Sequence, residues 1–194
     1  MSQDTVTGPN AQVREVYDRL GSLLDRGDDV FVEEGPGLLQ AAIAEPGFFD
    51  GVEPAPADSD HYTREKVAGA PGRHVIRFME WPPGYSLVPH EHHGRPCFEV
   101  LVDGLLHVVD MTAEQVDEEH YTLSIVDCDV TEPGEAAVVD PRENDIHAVY
   151  SPVRSCSLHV YPDDRSFAYG YELDEEASDE NDLYRRERFE LHDG

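Results

Sequence analysis

Residues 84–104 read Gly-Tyr-Ser-Leu-Val-Pro-His-Glu-His-His-Gly-Arg-Pro-Cys-Phe-Glu-Val-Leu-Val-Asp-Gly. Turn signals bound the stretch: Pro82-Pro83-Gly84 before it and Asp103-Gly104 at its end. Between them the pattern predicts two strands, Ser86–His92 and Cys97–Val102. Asp103-Gly104 followed by Leu105–Met111 predicts a hairpin. Side chains two apart on a strand share a face, so His90 and His92 can converge on one point.

The same pattern continues outward. Candidate strands lie at His74–Trp81, Tyr121–Val126, Ala136–Val139, Ile146–Tyr150 and Ser155–Tyr161, with Ser166–Leu173 as a last edge strand. Even without that edge strand, seven or eight strands at this spacing predict an all-β sandwich or barrel. Toward the N-terminus the period changes. Asn10 is suited to cap a helix in which Val13, Val16, Tyr17, Leu20, Leu23 and Leu24 form one apolar face. A second short helix is expected near Gly37–Ala44, ended by Pro46-Gly47, and Gly51–Asp60 reads as a linker. The chain is thus expected to comprise a helical segment at 1–60 packing on the barrel, a barrel at 61–173 and an acidic tail at 174–194.

His147 stands on a separate candidate strand, after the turn Asp140-Pro141-Arg142-Glu143-Asn144. Two histidines from one strand and a third from another can form a facial metal triad with open positions. Neutral imidazoles suit Fe, Zn, Ni or Cu.

Charge limits the partners. The 194 residues carry 42 Asp and Glu against 14 Lys and Arg, a formal net charge of -28. Such a surface repels phosphate, so nucleic acid and anionic membranes are not expected partners. No apolar run approaches the roughly 20 residues that span a bilayer, and the first ten residues show no secretory signal. Lys66 is the only lysine. In molar salt the Debye length shrinks to about 3 Å, which screens the self-repulsion. The composition therefore predicts a cytoplasmic protein from a salt-in halophile, of haloarchaeal type. Cys97, Cys128 and Cys156 are odd in number and form no C-x-x-C pair, which argues against disulfides and a zinc ribbon.

The frame around the histidines carries a resemblance. Gly84, five residues, His90-x-His92, four residues, Cys97, six residues and Gly104 resemble the first cupin motif. Pro141, Asn144 and His147 loosely resemble the second, with Asn144, a residue that tolerates positive φ, in place of glycine. Cysteine stands where cupins usually have a glutamate ligand. That feature is similar to the thiol dioxygenases of the cupin superfamily, and to cysteine dioxygenases in particular. Ser157-Leu158-His159-Val160-Tyr161 resembles that family's S-x-H-x-Y strand, and Tyr62-Thr63-Arg64 its Y-x-R segment. The acidic C-terminal extension has no counterpart in this resemblance.

The resemblance implies a mostly β fold, a single cupin jelly-roll barrel with short N-terminal helices. It implies iron(II) on His90, His92 and His147. Arg64, with Tyr62, would bind the substrate. Tyr161, His159 and Cys97 would be catalytic, and Ser157 would orient His159. It also implies a possible Cys97–Tyr161 thioether and a monomer acting on a small thiol. Chemistry agrees: three neutral ligands leave iron(II) its full charge and open positions for thiolate, amine and O2, and an arginine matches a carboxylate bidentately. The expected reaction is oxidation of L-cysteine with O2 to cysteine sulfinate. The alternatives are 3-mercaptopropionate or another small thiol, another cupin enzyme, or a non-catalytic metal-binding cupin. Each residue also has a plain alternative. His159 would be a core histidine, Cys97 a buried apolar group, Arg64 a surface ion-pair partner and Tyr62 packing at the mouth. Cys128 and Cys156 read as inert interior thiols, and His93, His107 and His120 as structural or solvated.

Overall fold

The computed structural model describes residues 8–53, 56–57, 60–178 and 182–191. Two helices, α1 (Ala11–Leu24) and α2 (Asp28–Ile43), precede eleven strands. These are β1 (Thr63–Gly69), β2 (Val75–Trp81), β3 (Tyr85–Glu91), β4 (Cys97–Asp103), β5 (Leu106–Gln115), β6 (His120–Thr131), β7 (Ala136–Val139), β8 (Ile146–Ser151), β9 (Ser155–Tyr161), β10 (Phe167–Leu173) and β11 (Tyr184–Glu190). One sheet runs β1-β2-β9-β4-β7. The second, β10-β11-β6-β5-β8-β3, closes on itself. The fold is mostly β, of the cupin jelly-roll type. Among the described residues no helix is long and apolar enough to cross a membrane.

The helices cover the outer face of the first sheet. Asn10 caps α1, its side-chain oxygen accepting the Val13 N–H at 2.9 Å. Val13, Val16, Tyr17 and Leu20 of α1, with Phe31 and Leu39 of α2, pack on Ile76 and Phe78 of β2, Phe98 and Val100 of β4, and Leu158 and Val160 of β9. Alternate residues of those strands face the barrel interior. There Met79, Trp81, Leu101, Leu106 and Val149 form a second cluster. β2 is therefore buried along its whole length, as a strand covered on both faces must be.

Several sequence expectations shift. α2 starts at Asp28, nine residues before the predicted start, and runs through Pro36. Buried Phe31, Gly35 and Leu39 anchor this longer helix against the sheet, and packing overrides the local proline signal. β1, absent from the predicted strands, pairs with β2. The Asp103-Gly104 turn does not make a hairpin: β4 pairs with β7 and β9, while β5 pairs with β6 and β8. The turn instead carries the chain between sheets. Gly104 adopts φ +92 there, and a Cβ would lie 2.4 Å from Ser155 Oγ and 2.5 Å from the Arg154 carbonyl oxygen, so no side chain fits. β10 is not an edge, since it pairs with β3 and β11. β11 itself comes from the stretch read as an acidic tail. Its Arg185, Glu187, Arg188 and Glu190 are exposed, Phe189 is half-buried, and Arg186 pairs with Glu91 of β3. Cys128 is exposed on β6 rather than interior, and Cys156 is half-buried.

Candidate metal centre and substrate chamber

β3 and β8 build the centre. They pair antiparallel with a register shift between Leu87 and His90. Pro89 lies in that shift, and it has no N–H to give to a ladder. Beyond the irregularity His90 pairs with His147. His92 follows the strand end, its N–H donating to the Asp145 carbonyl at 3.2 Å. One ligand nitrogen from each of His90, His92 and His147 lies within 4.8 Å of the others, and all three residues are buried.

The orientation suits a cation. His90 Nδ1 lies 3.0 Å from the Val88 carbonyl and His92 Nδ1 3.4 Å from the Asp145 carbonyl. Bonds of this kind put the proton on Nδ1 and leave Nε2 its lone pair. His147 Nδ1 is buried without a hydrogen-bond partner among the described residues. Burial lowers the pKa of His90 to about 4 and that of His92 and His147 well below the ordinary value, with the neighbouring His90 adding to the effect on the last two. Three neutral nitrogens aimed at one point, with no carboxylate among them, fit a divalent transition ion. Asn144 shapes the approach to His147. It is not at positive φ. Its side chain instead accepts the Ile146 N–H at 3.2 Å and donates to the Ile146 carbonyl at 2.9 Å.

A small chamber of about 50 Å³ opens onto the three histidines, room for a molecule of a few heavy atoms. Tyr62, Arg64, His159 and Tyr161 line it. Arg64 is 3% exposed, so it is no surface ion-pair partner. Its guanidinium carbon sits 5.8 Å from the Tyr161 ring centroid. Tyr62 stacks on Trp81, ring centroids 5.0 Å apart.

β9 supplies a polar row to the interior. Tyr161 Oη lies 3.2 Å from His159 Nδ1, and Ser157 Oγ lies 2.8 Å from His159 Nε2. Trp81 Nε1 donates to Ser157 Oγ at 2.8 Å. Burial pushes the Tyr161 phenol far above its ordinary pKa, with Arg64 opposing. Cys97 lies on the inner face of β4. It lines not the chamber but a separate cleft of about 620 Å³, which His92, His147, His159 and Tyr161 also border. Burial raises the Cys97 thiol well above its ordinary value.

Several contributors were not singled out from sequence. Arg165 lines the chamber and donates to the His92 carbonyl. Phe189 and Leu191, from the stretch read as a tail, also line it. Glu99 is buried on the inner face of β4, with Oε2 2.7 Å from His159 Nε2. A charge inside the otherwise apolar run Cys97–Val102 is the signal that marks it.

The family description "Cysteine dioxygenase type I" matches residues 9–166. No curated protein matches. Among solved structures, a cupin superfamily protein from Desulfitobacterium hafniense is 16% identical, with TM-score 0.42, over 57% of this chain and 84% of that one. An RmlC-like cupin protein from Desulfovibrio desulfuricans is 16% identical, with TM-score 0.42, over 57% and 91%. An oxalate oxidase in complex with the substrate analogue glycolate is 13% identical, with TM-score 0.40, over 56% and 53%. With eleven strands among the described residues, three buried histidines at their centre and a matched span covering most of its length, this chain belongs to the cysteine dioxygenase type I family.

Proposed function

We propose that the protein is an iron(II)-dependent thiol dioxygenase that oxidises L-cysteine with O2 to cysteine sulfinate, both oxygen atoms going to sulfur. The observation that carries this reading is one chamber shared by three neutral histidines and a buried arginine. Iron(II) on His90, His92 and His147 would supply the cationic, redox-active centre that thiolate and O2 need. The neutral histidines add no negative charge, which favours an anionic sulfur at that point. Arg64 holds the substrate carboxylate through a charge-assisted pair, and Tyr62 confines it from the Trp81 side. Tyr161 keeps its proton at Oη beside the reacting group, and His159 and Ser157 fix the direction of that hydroxyl. Met79, Leu87, Val149 and Phe189 line the chamber and exclude bulk water, which strengthens the Arg64 contact. The substrate is a small free thiol, and the protein acts as a monomer in a high-salt cytoplasm.

The deciding experiment is O2 uptake by iron(II)-loaded protein in molar KCl, offered L-cysteine and 3-mercaptopropionate in parallel, with products identified by mass. Uptake with cysteine and a gain of two oxygens supports the reading. Preference for 3-mercaptopropionate keeps the reaction class and removes the substrate. No uptake from folded, iron-bound protein removes the reaction.

A further inference from the structure

We infer that Glu99 is a positioning residue: its carboxylate holds His159 as the Nε2–H tautomer, so that Nδ1 accepts the Tyr161 hydroxyl. The inference rests on the thiol dioxygenase reading only for what Tyr161 then does in catalysis. The geometry stands apart from it.

Register places the pair. Glu99 on β4 is the direct partner of His159 on β9. Both belong to the inward-facing rows, since Phe98, Val100, Leu158 and Val160 take the outward ones. Glu99 is 3% exposed and His159 6%. Glu99 Oε2 lies 2.7 Å from His159 Nε2. Neither Glu99 oxygen meets hydrogen-bond geometry with any described residue, His159 included, so the pair is a close electrostatic contact, while the hydrogen bond at Nε2 is with Ser157 Oγ. A buried carboxylate does not persist without a donor or a charge to face, and His159 Nε2 is the nitrogen that faces it.

The direction of the protons follows. A neutral imidazole has one donor and one acceptor nitrogen, and a carboxylate only accepts. With an anionic oxygen 2.7 Å from Nε2 in a buried site, electrostatics favours a ring proton there over a lone pair. Nδ1 then keeps its lone pair, and the group 3.2 Å away that can donate is Tyr161 Oη. Ser157 alone does not impose this order. Its hydroxyl already accepts from Trp81 Nε1, which leaves its own proton free to donate to His159 Nε2. That alternative would put the ring proton on Nδ1, aimed at the Tyr161 oxygen, and would reverse the whole chain. Glu99 therefore selects, between the two directions open to the Ser157–His159–Tyr161 chain, the one in which the tyrosine hydroxyl donates to Nδ1 and keeps its proton.

Protein labelled with 15N-histidine and loaded with zinc as a diamagnetic stand-in tests this. Two-bond nitrogen–proton correlations at neutral pH report the tautomer of each ring. The His159 signals are assigned by their loss in a His159→Gln variant. The wild type is expected to carry Nε2–H on His159. Glu99→Leu is expected to carry Nδ1–H, and to lower kcat about tenfold in the iron form with KM for the thiol nearly unchanged. A wild-type Nδ1–H ring, an unchanged Nε2–H ring in Glu99→Leu, or a flipped ring with unchanged kcat each overturns the inference. If Glu99→Leu does not fold, Glu99→Met, which keeps the side-chain length, is read by the same outcomes. Absence of thiol oxidation in the wild type would remove the proposed reaction and leave the tautomer result standing.

Discussion

Phe98 on β4 pairs with Val160 on β9, and Cys97 and Tyr161 are the residues next to that pair, beyond the last paired position. Both border the same cleft, which His92 and His147 also line. Peptide mapping of iron-loaded protein after turnover is expected to show a joined Cys97 and Tyr161 peptide, two hydrogens lighter than the sum of its parts. Recovery of only the two separate peptides would remove the crosslink. Tyr161→Phe should abolish the joined peptide, retain iron and lower turnover.

His90 and His147 are register partners, with ring centroids 4.7 Å apart. His147→Ala removes one of three nitrogens and is expected to weaken metal binding at least about 100-fold, beyond the loss seen for groups that only orient a ligand. Metal content after dialysis, measured by mass spectrometry, checks this. The metal-free variant should stay folded by circular dichroism, since the helix-facing core is untouched. Full metal occupancy in the variant would place the site elsewhere.

Arg64 is buried at the chamber wall, close to the Tyr161 ring. A charge-assisted hydrogen bond contributes about 1.5–3 kcal/mol. Arg64→Gln should therefore lower kcat/KM for L-cysteine about 10–100-fold. Cysteamine, which has no carboxylate, should lose much less. Parallel loss on both thiols would show that Arg64 shapes the chamber rather than holding the carboxylate.

His74 links α1 to the first sheet. Its ring stacks on Tyr17 at 3.8 Å, and Nε2 donates to the Tyr17 carbonyl at 2.8 Å. Burial lowers its pKa below the ordinary 6.5. The folded state thus binds its proton later than the unfolded state does as pH falls. Its contribution to stability is present above about pH 6.5 and is lost as pH falls through the folded value. Thermal melts between pH 8 and 5 should show Tm falling on the acid side, and His74→Gln should flatten that slope. An identical slope in both proteins would assign the acid sensitivity to other groups.

Net charge makes salt a variable of folding. Raising KCl from 0.1 M to molar range shortens the Debye length from about 10 Å to about 3 Å. Tm should rise across that range, about 2–4 °C for each kcal/mol of repulsion relieved. A flat or falling Tm would contradict a protein built for high salt.

Much of the molecule is legible in the residues themselves. The strands β7 and β9 match their predicted bounds, and Asn10 with its apolar face marks α1. These are local signals: alternation, capping and turn chemistry act over a few residues. His90, His92 and His147 are legible as a group because two share a strand and the third follows a turn. What the residues did not disclose needs contacts between distant segments. α2 runs through Pro36 because its apolar face meets β4. Asp103-Gly104 looks like a hairpin, yet its strands go to different sheets, since only sheet pairing decides a strand's neighbour. Glu99 gains meaning only opposite His159, and Phe189 only beside the chamber. The sequence alone determined most of the strands, the three candidate ligand histidines and the acidic composition, because each depends on local period or composition. The tertiary structure decided which strands are neighbours, which buried carboxylate faces which imidazole, and which wall closes the chamber, because burial and electrostatic pairing act between groups far apart in the chain.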